Sequence, residues 1–197
     1  MGIKAKTWWK NNADEWLKKC QYWEKMSKGN SRSFTKEENF LIDEVLNRCL
    51  SSFKILEVGA GNGRIIGPIS MIYFNSCWSV DINRKLSNYI HKKYSYVRTY
   101  VGEIIDLPFK DKEFDLVFTH EVLQHIDPSE IDKAVSELKR VGKEVWCMES
   151  WRDAQKNGEK VSDSHCGRWN YNLKDYFNTY YDFYTDWGQL FIKAKGE

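Results

Sequence analysis

The chain is short of the features that settle a protein's class at a glance. It has three prolines, and its five cysteines include no two within four residues. Without a CxxC pair a structural zinc site is not expected, and an odd number of thiols argues against a closed disulfide framework. The reading is a reducing, cytoplasmic compartment. Long apolar runs are missing: the stretch 65–74 is far too short for a bilayer and is broken by Gly67 and Pro68. No apolar segment follows the first six residues, so no signal peptide is read. Position 6 is Lys, where myristoylation wants Ser or Thr. Charge of one sign is also missing: 30 basic residues stand against 28 acidic ones, a net of +2, which excludes an electrostatic nucleic-acid binder of the histone kind.

What is present describes a folded domain. Apolar residues make up 42% of 197 and charged residues 29%, the balance of a globular chain rather than a disordered one. With no repeat, linker or low-complexity tract, one domain over 1–197 is the economical division, a helical cap over 1–50 and a core over 51–197. In the cap, Trp9, Ala13, Trp16, Cys20 and Trp23 recur at helical spacing, with Gly29, Asn30 and Ser31 as the stop. A second helix is expected from the N-cap Thr35, with Glu38 completing a capping box and Phe40, Leu41, Val45, Leu46 and Cys49 as its apolar stripe.

From residue 53 short apolar runs alternate with helical stretches. Strands are expected at 54–58, 77–80, 97–101, 114–119 and 144–148, with helices near 64–74, 83–93 and 129–140. That alternation means βαβ units and a parallel sheet covered on both faces. A polar loop is expected at 152–168, a short helix near 172–178, and an antiparallel hairpin from 180–184 and 189–195 around Gly188. Five parallel strands and the hairpin make seven.

The informative segment is ILEVGAGNGR, residues 55–64: a buried strand running into a Gly-rich turn that opens a helix. Asp81 follows Gly59 by 22 residues, at the end of the second strand, where a carboxylate accepts hydrogen bonds from ribose hydroxyls. The ligand is NAD or S-adenosylmethionine, and spacing separates them. The dinucleotide pattern is GxGxxG; here the glycines stand at 59, 61 and 63, and Arg64 occupies the sixth position. Glu57, just before the loop, would repel a pyrophosphate, whereas a methionyl ammonium tolerates it.

On these residues the chain resembles the class I S-adenosylmethionine-dependent methyltransferases, over roughly 50–150 and in its terminal hairpin. ILEVGAGNGR resembles the family's first motif and Asp81 its ribose acid. Gly102, Glu103 and Ile104, before Leu107, Pro108 and Phe109, resemble the adenine-holding segment, with Glu where the family commonly has Asp. FDLVFTHEVLQHI (114–126) resembles the fourth strand and the helix after it. The resemblance implies a Rossmann-like three-layer α/β sandwich: a seven-stranded, mostly parallel sheet with an antiparallel C-terminal hairpin strand and extra N-terminal helices. It implies S-adenosyl-L-methionine as cofactor and S-adenosyl-L-homocysteine as product. Glu57, Gly59, Ala60, Gly61, Asn62 and Gly63 would hold the methionyl part, Asp81 the ribose, and Ile82, Glu103 and Ile104 the adenine. Thr119, His120 and His125 would line the reaction centre.

A sulfonium methyl is already activated, so the protein must align a nucleophile and exclude water, and a base must take the proton of a hydroxyl or ammonium acceptor. His120 and His125 are two of only four histidines and are the candidate bases, beside a plainer role in orienting the turn. Gln124 stands where some O-methyltransferases of the family carry a second carboxylate next to their histidine, so no metal is expected. Glu121 reads as a solvated or capping acid, and His165 and Cys166 as surface-loop residues. Trp8, Trp9, Trp151, Trp169 and Tyr171 are the expected aromatic walls of an acceptor pocket, although the tryptophan stripe also reads as core packing. The expected function is methyl transfer to an O or N atom of a small molecule, by a monomer or homodimer, without nucleic acid or membrane as partner. Two alternatives stay open: a protein N-terminal amine methyltransferase, faintly suggested by residues 5–10 and 163–166, and a non-catalytic cofactor-binding partner subunit.

Overall fold

The computed structural model describes residues 5–26, 35–150, 158–162, 167–178, 180–184 and 188–196. The tryptophan-rich start forms two helices rather than one, α1 (Ala5–Asn11) and α2 (Ala13–Met26). The break is local: both the backbone N–H of Asn12 and its side-chain Nδ2 donate to the Trp8 carbonyl, at 2.9 and 2.8 Å. The stop expected at Gly29, Asn30 and Ser31 lies outside the described residues. Helix α3 (Lys36–Arg48) begins as its sequence requires: the Thr35 hydroxyl accepts from Glu38 N and the Glu38 carboxylate accepts from Thr35 N.

Then come β1 (Ile55–Val58), α4 (Ile66–Ser70), β2 (Cys77–Asp81), α5 (Arg84–Lys93), β3 (Val97–Val101), β4 (Phe114–His120), α6 (Ile131–Val141) and β5 (Gly142–Ser150). The chain closes with β6 (Glu159–Ser162), β7 (Arg168–Asn170), β8 (Tyr180–Tyr184) and β9 (Gln189–Lys195). Seven strands form one sheet in the order β3-β2-β1-β4-β5-β9-β8. β1 to β5 run parallel, and β9 joins β5 antiparallel, with β8 on its outer side. This is the expected architecture. Two departures concern polar or short segments. The stretch expected as a loop at 152–168 contributes to a small antiparallel ribbon of β6 and β7, and the helix expected near 172–178 is a single 3-10 turn at Leu173–Tyr176.

Successive strand residues point to opposite faces, so β1 feeds both halves of the core. Leu56 and Val58 pack with Val135, Leu138 and Val141 of α6. Ile55 packs on the other side with Leu41 and Val45 of α3 and Ile66 and Ile69 of α4. The order of strands reverses on either side of β1, and the crevice beyond the carboxyl ends of β1, β2 and β4 is where open α/β sheets bind ligands.

Candidate functional site

A cavity of about 750 Å³ opens at that crevice. The turn after β1 forms its floor. Gly59, Gly61 and Gly63 all have positive φ (74°, 55° and 73°), and Gly59 is approached so closely that a Cβ there would lie 2.5 Å from Val122 Cγ2. A side chain is therefore excluded at Gly59 on two counts. Asp81 holds the turn from β2: its Oδ2 accepts from Gly61 N at 2.9 Å and its Oδ1 from Asn83 N at 2.8 Å. Burial pushes the Asp81 carboxyl up to about 6, against the pull of those two N–H groups. Glu57 is also buried and accepts from Ile66 N at 3.0 Å. Its burial raises the carboxyl to about 8, opposed by the Ile66 bond and reinforced by Glu38 and Asp81.

Of the residues expected to hold a cofactor, Glu57, Gly59, Ala60, Gly61, Asn62, Asp81, Ile82, Glu103, Ile104 and His120 line this one cavity. Gly63 and Thr119 do not. Gly63 backs the turn against Ile90, whose Cγ1 would be 3.0 Å from an added Cβ. Thr119 is turned into the protein, and its hydroxyl donates to Glu149 Oε1 at 3.0 Å. Glu103 is engaged by the cap: Lys6 Nζ lies 2.6 Å and Lys10 Nζ 3.6 Å from its carboxylate, and the Lys6 contact holds Glu103 below the usual carboxylate range.

The aromatic wall is real but differs in membership. Trp8, Trp9 and Trp169 line the cavity, and so does Trp16, which lies on the predicted stripe. Tyr171 does not: it is a core residue, 4% exposed, whose hydroxyl donates to the Ile126 carbonyl at 2.7 Å. Trp151, His165 and Cys166 lie outside the described residues.

Both candidate bases reach the cavity. His120 ends β4; its Nε2 is buried without a hydrogen-bond partner among the described residues, and burial lowers its pKa, so the ring is neutral at physiological pH. His125 closes a 3-10 turn after β4, with Nδ1 2.8 Å from the Gly167 carbonyl and the ring edge-on to Trp9 at 5.1 Å. A carbonyl only accepts, so Nδ1 carries the proton and the lone pair of the neutral ring is on Nε2.

Between them sits Glu121, which is not a solvated acid. It lines the cavity in a left-handed conformation, φ 58°, and its Oε1 accepts from Ser150 Oγ at 2.8 Å and Gln189 Nε2 at 2.6 Å. Its Oε2 accepts from Gln124, whose Oε1 in turn accepts from Arg168 Nε at 2.8 Å. Glu149 underlies this turn: its carboxyl accepts from Thr119 Oγ1, Val122 N and Gln124 N at 3.0, 3.2 and 3.4 Å. Burial and the charge of Glu121 push Glu149 up to about 8. Nothing in the sequence marks Glu149 or Arg168 for this place, because both are brought in from β5 and β7 by tertiary structure.

Among the described residues, three buried polar atoms of cavity-lining residues have no partner: Trp9 Nε1, Asn62 Nδ2 and His120 Nε2. A buried donor without a partner is destabilising by about 1–3 kcal/mol, so three around one cavity fit a polar ligand.

Comparison with known proteins gives the same picture. Residues 56–144 match a family model described as a methyltransferase domain. An uncharacterised protein of Methanocaldococcus jannaschii is 36% identical over 102 residues, 51% of this chain and 46% of that protein. The chain thus spans about half the length of this curated relative. A TehB-like S-adenosylmethionine-dependent methyltransferase from Corynebacterium glutamicum superimposes with a TM-score of 0.68 at 16% identity, covering 94% of this chain and 100% of the other. Magnesium protoporphyrin IX methyltransferase from Synechocystis PCC 6803, solved with bound S-adenosylhomocysteine, gives 0.67 at 10% identity over 96% and 97%.

Proposed function

We propose that this chain, which carries a methyltransferase domain on the class I S-adenosylmethionine-dependent methyltransferase fold, binds that cofactor and methylates an O or N atom of a small molecule. The observation that carries the reading is the convergence in one cavity of the glycine turn, Asp81 and three unpartnered polar atoms. Asp81, ionised above about pH 6, would accept from the ribose hydroxyls, and Asn62 Nδ2 would donate to the methionyl carboxylate. Glu57, buried behind the turn, keeps its role of tying β1 to α4 through Ile66 N.

The cofactor supplies a sulfonium-activated methyl group. The protein's part is to orient an acceptor atom in line with the C–S bond, exclude water and take up one proton. Held by the glycine turn, Asp81 and Asn62, the cofactor would give its methyl group to the acceptor and remain as S-adenosylhomocysteine. His125 is set up to receive the acceptor's proton at Nε2, because Gly167 holds its Nδ1–H. His120, kept neutral by burial, is the second candidate.

The four tryptophans that line the cavity support a compact acceptor held between aromatic walls. The four described cysteines Cys20, Cys49, Cys77 and Cys147 are all free thiols, which fits a reducing, cytoplasmic setting. Among the described residues no helix is long and apolar enough to cross a membrane. The test is incubation with methyl-labelled S-adenosylmethionine and cell extract split by size. Label in the small-molecule fraction, lost on His125→Ala, is expected; label in polypeptide alone would replace the acceptor assignment with the N-terminal amine reading.

A further inference from the structure

Helix α1 has seven residues, too few to be stable alone, so something else must fix it where Lys6, Trp8 and Trp9 wall the cavity. Both of its ends are tied to the rest of the fold. At the start, Lys6 bridges Glu103 at 2.6 Å and Glu130 at 3.1 Å. At the end, Asn83 Nδ2 donates to the carbonyls of Trp9 and Lys10, at 2.8 and 2.9 Å, two of the acceptors that the last turn of a helix leaves unsatisfied.

Asn83 is 3% exposed and every part of it is used. Its Oδ1 caps α5 through Lys85 N at 2.9 Å and Leu86 N at 3.4 Å, and its own N–H donates to Asp81 Oδ1 at 2.8 Å. One residue therefore joins the acid read as the ribose ligand, the start of α5 and the end of α1. Capping does not require an amide, since Ser and Asp cap helices as well. What only the amide supplies here is the pair of hydrogens aimed at α1, 73 and 74 positions away in sequence.

We propose that Asn83 is a positioning residue that latches α1 over the cofactor cleft, so that cofactor exchange waits on release of α1. The latch also sets Trp9, which lines the same cavity and whose indole N–H is buried without an acceptor among the described residues. This rests on the cleft being the S-adenosylmethionine site.

The experiment compares wild type with Asn83→Ser and Asn83→Asp, both of which keep the α5 cap and lose the two donors. Release of S-adenosylhomocysteine is followed by tryptophan fluorescence in stopped flow, and trypsin cleavage after Lys6 and Lys10 is timed without ligand. Both variants are expected to release the product about tenfold faster or more, the scale of two lost hydrogen bonds. Both are also expected to be cut faster, with little change in thermal midpoint. Release within about twofold of wild type and unchanged cleavage in Asn83→Ser would overturn the latch. So would an effect confined to Asn83→Asp, which would be a charge acting on Asp81. If wild type does not bind S-adenosylhomocysteine, the cofactor reading falls, and the cleavage rates alone decide whether Asn83 holds α1.

Discussion

Gly59 and Asp81 show how much single positions constrain this site. At Gly59 a methyl group would meet Val122 at 2.5 Å in a backbone conformation that L-residues rarely adopt. Gly59→Ala is expected to lower stability by about 1–3 kcal/mol and to weaken cofactor binding, since the turn must shift away from Val122; urea unfolding and ligand titration check both. Asp81 gives a pH signature. Burial pushes its carboxyl up to about 6 in the free protein, and on the proposed reading ribose hydroxyls would donate to the ionised form. Affinity for S-adenosylhomocysteine should therefore rise from pH 5 to pH 7 and then level, and Asp81→Asn should abolish that rise and weaken binding by about 1–3 kcal/mol. A pH-independent affinity in wild type would contradict the ribose role. These residues were legible because glycine and acid spacing follow from turn geometry. Thr119 was not, for a reason of parity: neighbours on a strand face opposite ways, so with His120 toward the cavity Thr119 must point to Glu149.

Among the elements, α3 is the most fully written in the sequence. Thr35 and Glu38 form the expected capping box, and Glu38 also pairs with Arg64 at 2.5 Å, with both side chains little exposed. Thr35→Ala is expected to cost about 1 kcal/mol. Glu38→Ala should cost more, because it also removes the little-exposed ion pair with Arg64. Equal losses in urea unfolding would show that the Arg64 pair contributes nothing. Helix α4 was expected over 64–74 but spans only five residues. Ser70 Oγ donates to the Gly67 carbonyl at 2.6 Å, the acceptor that the next helical N–H would use, and Met71 N turns instead to Pro68 at 3.2 Å. Side-chain competition of this kind leaves no trace in apolar periodicity. Nor does the β6–β7 ribbon, whose residues other than Val161 and Trp169 are polar and which packs on the turn carrying His125.

At the scale of the molecule, buried acids make stability depend on pH. Glu57 and Glu149 keep their protons up to about 8 in the folded state, whereas the unfolded chain loses them near 4.5. Between these values the native state binds more protons than the unfolded one, so stability falls as pH rises toward 8. His120, whose folded pKa is lowered, opposes this only below its ordinary value of 6.5. The ligand-free protein should thus lose thermal stability from pH 7 to 8.5, and Glu149→Gln should make that slope shallower. A flat profile would mean that these carboxyls are ionised in the native state.

The five parallel strands and the terminal hairpin were legible from the alternation of apolar runs, and the turn after β1 from its glycine spacing; the order of the strands in the sheet was not read from the sequence. The N-terminal helix was expected as a cap, but the contacts that hold it were not legible, since its ties to Asn83, Glu103 and Glu130 join residues 73 to 124 positions apart. The central claim is that this cleft is built for S-adenosylmethionine, and calorimetric titration of the purified protein with S-adenosylmethionine, S-adenosylhomocysteine and NAD tests it most directly. Micromolar binding of the two adenosyl ligands and no heat from NAD are predicted. Binding of NAD, or silence from both adenosyl ligands, would contradict it.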